Sequence, residues 1–226
     1  MGYTFPPAPQ PVLETIDSED LFPVRRVFCV GRNYAAHARE MGKDPNREPP
    51  FFFTKPGDAV TQATLIPYPP QTEDLHFEAE LVVAIGVEGA DIEEKNAETH
   101  IWGYAVGCDL TRRDLQAEAK KMGRPWDMAK GFDASAVLGP LYAKDAPLTQ
   151  GAIQLKLNDE LRQSGDLSEM IWSVPEVIAH LSRYVTLMPG DLIMTGTPAG
   201  VGALGPDDSC TITIDGFAPL TFTMVA

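Results

Sequence analysis

The chain has 226 residues, 44% of them apolar, with 20 prolines, 19 glycines and a net charge of −14. That length suits one large domain, and the proline and glycine content implies many turns and short strands rather than a helical bundle. So acidic a chain makes nucleic acid and anionic membrane surfaces poor partners, and an anionic ligand would have to be held by a local cation.

Residues 1–24 are rich in proline and acidic groups and are expected as an N-terminal arm, with 25–226 as a single folded domain. The opening "MGYTFPPAPQPVL" has neither a basic nor an apolar signal segment, and no run approaches the length of a membrane span. "RRVFCVG" reads as a strand, and "NYAAHAREMG" as a helix with Asn33 as N-cap and Gly42 as its stop. "FFFTKPGDAV" is a strand broken at Pro56-Gly57, and "LHFEAELVVAIG" and "HIWGYAVGCDLT" are two further strands. "RRDLQAEAKKMG" has the clearest helical period and closes at Gly123. "IQLKLNDELRQSG" is a hairpin turning at Asn158-Asp159, and "SVPEVIAHLSRYV" an amphipathic helix with proline near its start. "DLIMTGTPAGVG" is a strand entering a glycine-rich loop, and "SCTITIDGFAPLTFTMV" a last hairpin near Asp215-Gly216. Strands outnumber helices, which gives an α+β fold with a mainly β core. Cys29, Cys108 and Cys210 lack disulfide or zinc spacing, and Cys29 and Cys108, in apolar runs, read as buried free thiols in a reducing cytoplasm.

The strand "LHFEAELVVAIG" poses a problem of charge. Side chains alternate along a strand, so His76, Glu78 and Glu80 share one face, and Phe77, Ala79, Leu81, Val83 and Ile85 take the other. Two carboxylates about 7 Å apart repel and lose hydration if that face is buried. Either the face is solvated or a divalent cation lies between them. Asp109, ending the run "IWGYAVGCD", adds a third acid, although it could instead cap the following helix. Three carboxylates with no cysteine suit Mg²⁺ or Mn²⁺ better than Zn²⁺. No G-x-S-x-G elbow or phosphate-binding glycine loop is present, and His100 and His180 have no partner at ligand spacing.

The segments "FCVGRNYAAHAREMG", "FFFTKP", "LHFEAELVVAIG", "GYAVGCDLTRRDLQ", "RPWDMAKGFD", "LNDELRQSGDLSEMIWSVPEVIAHLS" and "PGDLIMTGTPAGVG" occur in this order over about residues 25–205. Together they resemble the fumarylacetoacetate hydrolase family. The resemblance implies a mixed β-sandwich roll, a homodimer, and one Mg²⁺ or Mn²⁺ per subunit held by Glu78, Glu80 and Asp109. It implies cleavage of a carbon–carbon bond in acylpyruvates, a class of 1,3-diketo acids. Some relatives instead decarboxylate oxaloacetate or isomerise keto acids. His37 and Glu40, three apart on the expected helix, match a mobile lid pair in which His37 activates water and Glu40 orients His37; as bare sequence they read more readily as an exposed polar pair. Lys130 is implied to face the oxo acid. Arg113, Gln116 and Thr197 match substrate-binding positions. Arg32 and Lys55 are candidates for the far end of an acidic substrate, with a surface role as the alternative.

Overall fold

Strand Ala79–Ile85 is apolar at every position except Glu80 because both its faces are covered. Leu81, Val83 and Ile85 enter one core, whereas Val82 and Ala84 enter a second. This explains a continuous apolar run where a half-exposed strand would alternate. The structure, a computed structural model, describes residues 2–36 and 48–226.

The strand lies inside an eight-stranded mixed sheet. Its order is Phe52–Lys55, Arg26–Val30, Asp191–Met194, Ala79–Ile85, Ile101–Asp109, Ala136–Leu138 and Val60–Thr61, with Tyr142–Ala143 also pairing to Ile101–Asp109. A five-stranded sheet runs Glu160–Asp166, Ala152–Leu157, Ser209–Ile214, Leu220–Val225 and Leu65–Pro67. Ile153, Leu155, Ile212 and Phe222 of that sheet, with Val177 and Ile178 of helix Val174–Leu181, close the first core. On the other side, residues 12–23, within the segment expected as an arm, form the hairpin Val12–Glu14/Leu21–Pro23. Its Leu13 and Phe22 cover the second core. The fold is α+β with a mainly β core.

The turn chemistry follows the sequence. Asn158 and Asp159 both have positive φ, 51° and 66°, as a two-residue hairpin turn of type I′ requires. Helix Arg113–Met122 ends on Gly123 in the left-handed region, and helix Val174–Leu181 opens with a Ser173/Glu176 capping box. Of the helix expected over 33–42, residues 37–42 lie outside the described residues. Asn33 has a wider use than an N-cap: its Nδ2 donates to the carbonyls of Trp172 and Thr195, each at 2.9 Å, and its Oδ1 accepts from Trp172 N–H at 2.7 Å. All three cysteines are free and buried. Among the described residues, no helix is long and apolar enough to cross a membrane.

Candidate metal centre

The strand carrying the two glutamates breaks between them. Leu75–Phe77 pairs with Thr111–Arg112 and Gly202–Ala203 in a small separate sheet, whereas Ala79–Ile85 joins the large one. At the break, Ala79 N–H donates to Gln163 Oε1 at 3.0 Å. His76 leaves with the small sheet and pairs with Asp74 at 2.9 Å, so it does not join the acids.

Antiparallel pairing sets Ala79 opposite Cys108 and Glu80 opposite Gly107. The same register brings Asp109 beside Glu78, with Asp109 N–H on the Glu78 carbonyl at 2.9 Å. One oxygen from each of Glu78, Glu80 and Asp109 lies within 4.8 Å of the others, and all three residues are buried. The solvated-face reading of the two glutamates therefore fails. So does helix capping by Asp109, because the N-cap position belongs to Arg112.

Cations stand around this acidic triple. Lys130 Nζ reaches Glu78 Oε2 at 2.9 Å, Asp109 Oδ2 at 2.7 Å and the Thr111 hydroxyl at 2.6 Å. Arg113 donates to Glu78 Oε1 at 2.5 Å and to Gln116 Oε1 at 2.7 Å. Lys55, considered for the far end of a substrate, lies behind the acids instead. Its ammonium is 2.8 Å from Asp109 Oδ1 and donates to the carbonyls of Leu110 and Lys130. The Lys130 ammonium is held protonated: burial alone would discharge it, but Asp109 and Glu78 outweigh that.

Glu80 is placed differently. It accepts one backbone hydrogen bond, from Gly196 at 2.7 Å, and among the described residues no lysine or arginine forms an ion pair with it. Burial pushes its carboxyl well above the usual range, and the charges on Asp109 and Glu78 push it further. Asp109 Oδ1, though close to Lys55, accepts no well-formed hydrogen bond. A divalent cation would satisfy both atoms. An all-carboxylate donor set fits Mg²⁺ or Mn²⁺.

Thr197 sits in the buried loop after strand Asp191–Met194 and accepts a 2.8 Å hydrogen bond from Gln163 Nε2. Gln163, fully buried, also donates to the Pro198 carbonyl at 2.8 Å. Its position in an otherwise exposed hairpin strand gave no sequence signal. Glu78, Arg113, Gln116 and Lys130 open onto a cleft of about 300 Å³, whose lining also includes Arg32 and Lys120. Lys120 follows Arg113 by seven residues on one helix, a helical spacing that could have identified it. His37, Glu40 and the expected lid around them lie outside the described residues.

The fumarylacetoacetate hydrolase C-terminal family model matches residues 26–225. A fumarylpyruvate hydrolase from Ralstonia is 43% identical over 183 residues, 80% of this chain and 95% of that protein. A mitochondrial oxaloacetate tautomerase from Rattus norvegicus is 40% identical over 201 residues, 88% of this chain and 90% of that protein. The crystal structure of fumarylpyruvate hydrolase from Pseudomonas aeruginosa, in complex with Mn²⁺ and pyruvate, superposes with a TM-score of 0.96 at 51% identity over 99% of both chains. With its strand order, its acidic triple and this match across nearly the whole sequence, the chain belongs to the fumarylacetoacetate hydrolase family.

Proposed function

We propose that this protein is a divalent-metal-dependent hydrolase that cleaves the carbon–carbon bond of acylpyruvates. Its substrate is fumarylpyruvate, and its products are fumarate and pyruvate, in the gentisate branch of aromatic catabolism. The observation that carries the reading is the charge balance of the buried centre. Among the described residues, three carboxylates, Glu78, Glu80 and Asp109, are accompanied by three cations, Lys55, Lys130 and Arg113, each cation paired to Glu78 or Asp109. Adding a divalent ion leaves two positive charges, which a carboxylate and a developing enolate oxygen together neutralise. The centre is thus matched to a reacting 2-oxo acid rather than to a neutral ligand.

Glu78, Glu80 and Asp109 hold the ion, Mg²⁺ or Mn²⁺. When bound, it supplies Lewis acidity toward the 2-oxo-carboxylate end of the substrate. Lys130 adds a fixed positive charge beside that end. Arg113, locked by Gln116, orients it, and the Thr197 hydroxyl with its loop amides receives the carboxylate. His37, oriented by Glu40, takes the proton from a water that attacks the distal carbonyl. The bond between that carbonyl carbon and the pyruvyl methylene breaks. Its electron pair passes to pyruvate as the enolate, which a proton converts to pyruvate. The roles of His37 and Glu40 rest on the family pattern. The same pattern supports a cytoplasmic homodimer, which light scattering would test.

The similarity to oxaloacetate tautomerases favours a second reading, in which the same centre moves a proton on oxaloacetate or decarboxylates it. A spectrophotometric panel separates the readings. Hydrolysis releases pyruvate from fumarylpyruvate or another acylpyruvate, tautomerisation changes the enol absorbance of oxaloacetate with no pyruvate, and decarboxylation gives pyruvate from oxaloacetate alone. Absence of pyruvate from every acylpyruvate, with Mn²⁺ present, would end the hydrolase reading.

A further inference from the structure

The cleft outside the acidic triple has a charge pattern of its own. Among the described residues, four cations line it, Arg32, Arg113, Lys120 and Lys130, together with one acid, Glu78. In a chain of net charge −14 this is a local reversal of sign. Arg113 and Lys130 are both committed to Glu78 at the inner end. Among the described residues, Arg32 has only a loose 3.5 Å ion pair with the exposed Glu48, a pairing of little strength in water.

Aromatic rings join the two ends. Arg32 stacks on Phe51 at 5.3 Å and Lys120 on Trp126 at 5.0 Å, while Phe51 and Trp126 meet edge to face at 5.4 Å. Phe53 closes the wall, 5.8 Å from Trp126 and with the Lys130 ammonium 5.0 Å from its ring. An apolar wall of mutually tilted rings therefore runs between an inner pair of cations and an outer pair.

The spacing defines a ligand. Arg113 and Lys120 lie two turns apart on one face of helix Arg113–Met122, about 10 Å along its axis. An extended seven-carbon diacid spans roughly 7–8 Å between its terminal carbons at ordinary bond lengths, and the lysine side chain covers the remainder.

We propose that Arg32 and Lys120 form a second-carboxylate subsite, which binds the far carboxylate of an extended 2-oxo diacid while Phe51 and Trp126 flank its chain. The subsite makes the enzyme selective for acylpyruvates that end in a carboxylate over those that end in a methyl group. Only the placement of the near end at Glu78 and Lys130 rests on the function proposed above.

Calorimetry on the Mn²⁺-loaded protein tests this without turnover, using 2-oxopimelate and 2-oxoheptanoate, which share a chain length and differ in the terminal carboxylate. The wild type is expected to bind the diacid at least tenfold more tightly, the lower end for a charge-assisted hydrogen bond. Lys120→Met should remove most of that ratio, Lys120→Arg should keep it, and Arg32→Met should lower it. Equal affinity of the wild type for the two ligands, or no binding of either, overturns the subsite. So does a ratio unchanged in Lys120→Met, or a loss shared equally by both ligands. An enzyme that hydrolyses no acylpyruvate yet keeps a Lys120-dependent ratio would refute the reaction and leave the subsite standing.

Discussion

Gly196 N–H donates a 2.7 Å hydrogen bond to Glu80 Oε2, and it can do so only because position 196 is glycine. Its φ of +97° belongs to the region that side chains avoid, and a Cβ there would lie 2.8 Å from Asn33 Cβ. The loop carrying Thr197 is thereby fixed to the strand carrying the acids.

Gly196→Ala should therefore lower stability by about 1–3 kcal/mol in urea unfolding, the cost of a strained backbone. It should also weaken Mn²⁺ binding, since Glu80 loses the backbone donor at Gly196. A variant equal to wild type in both measurements would show that the loop has another anchor.

Glu80 also gives the centre a pH dependence of definite sign. Its carboxyl is raised in the folded protein, so without metal this group contributes stability that is full below the ordinary glutamate range and is lost as pH rises through the raised value. Metal binding requires the ionised form, so Mn²⁺ affinity should fall on acidification, and binding should release protons between those two limits. Glu80→Gln should flatten the metal-free stability profile and abolish tight Mn²⁺ binding. Calorimetry in two buffers of different ionisation enthalpy reads the proton release; identical heats would remove Glu80 as the coupled group.

Much of the centre was legible because its residues are fixed by local rules. The period-two alternation of a strand puts His76, Glu78 and Glu80 on one side; the two glutamates stay together across the break at Glu78, whereas His76 leaves with the small sheet. An acid ending an apolar run has few reasons to be there. The place of Lys55, a candidate only for the far end of a substrate, and the part played by Gln163 were not legible, for opposite physical reasons. Lys55 sits beside Pro56-Gly57 in what looks like a turn, and only strand pairing of Phe52–Lys55 with Arg26–Val30 carries it beneath Asp109. Gln163 lies in a strand that reads as solvent-facing, and a register shift between Leu155 and Lys156 turns it inward while Leu161 stays exposed. Such shifts follow from pairing between strands and have no signature within one strand.

Lys130→Met should move two affinities in opposite directions. The ammonium is counter-ion to Glu78 and Asp109 in the absence of metal, so its loss removes a repulsion toward Mn²⁺ and should tighten metal binding. Oxalate binding to the metal-loaded protein should weaken by about 1.5–3 kcal/mol, the range for a hydrogen bond to a charged group. The metal-free variant should be less stable by less than the roughly 3–5 kcal/mol of a fully broken buried pair, because Glu78 keeps Arg113 and Asp109 keeps Lys55. Oxalate affinity at the wild-type level would place Lys130 in a purely structural role.

Gln163→Leu tests whether the hairpin strand supports the centre at a distance. The side chain holds Ala79 N–H on one segment and Thr197 Oγ1 and the Pro198 carbonyl on a second, and leucine leaves all three groups without this partner in a buried place. A loss of about 1–3 kcal/mol per unsatisfied buried group bounds the effect on stability. If Thr197 receives the substrate carboxylate, its loosened hydroxyl should raise KM more than it lowers kcat. Gln163→Glu, which keeps the acceptor for Ala79 but loses donation to Thr197 and Pro198, should share the KM defect with a smaller loss of stability. A change in stability with KM unaltered would confine Gln163 to the fold.

Glu40→Gln separates the metal from the base. The proposed role of Glu40 is to orient His37 and stabilise its protonated form, with no contact to the ion. The variant should therefore bind Mn²⁺ and oxalate as the wild type does, while acylpyruvate hydrolysis falls by a factor on the order of 10²–10⁴, the usual contribution of a positioned general base. Decarboxylation of oxaloacetate needs no activated water and should be spared by comparison. The ratio of the two rates is thus a sharper measure than either alone, because a general disturbance of the centre would lower both together. Hydrolysis at the wild-type rate would exclude the pair, and the proton of the attacking water would then have to pass to another group facing the acidic triple.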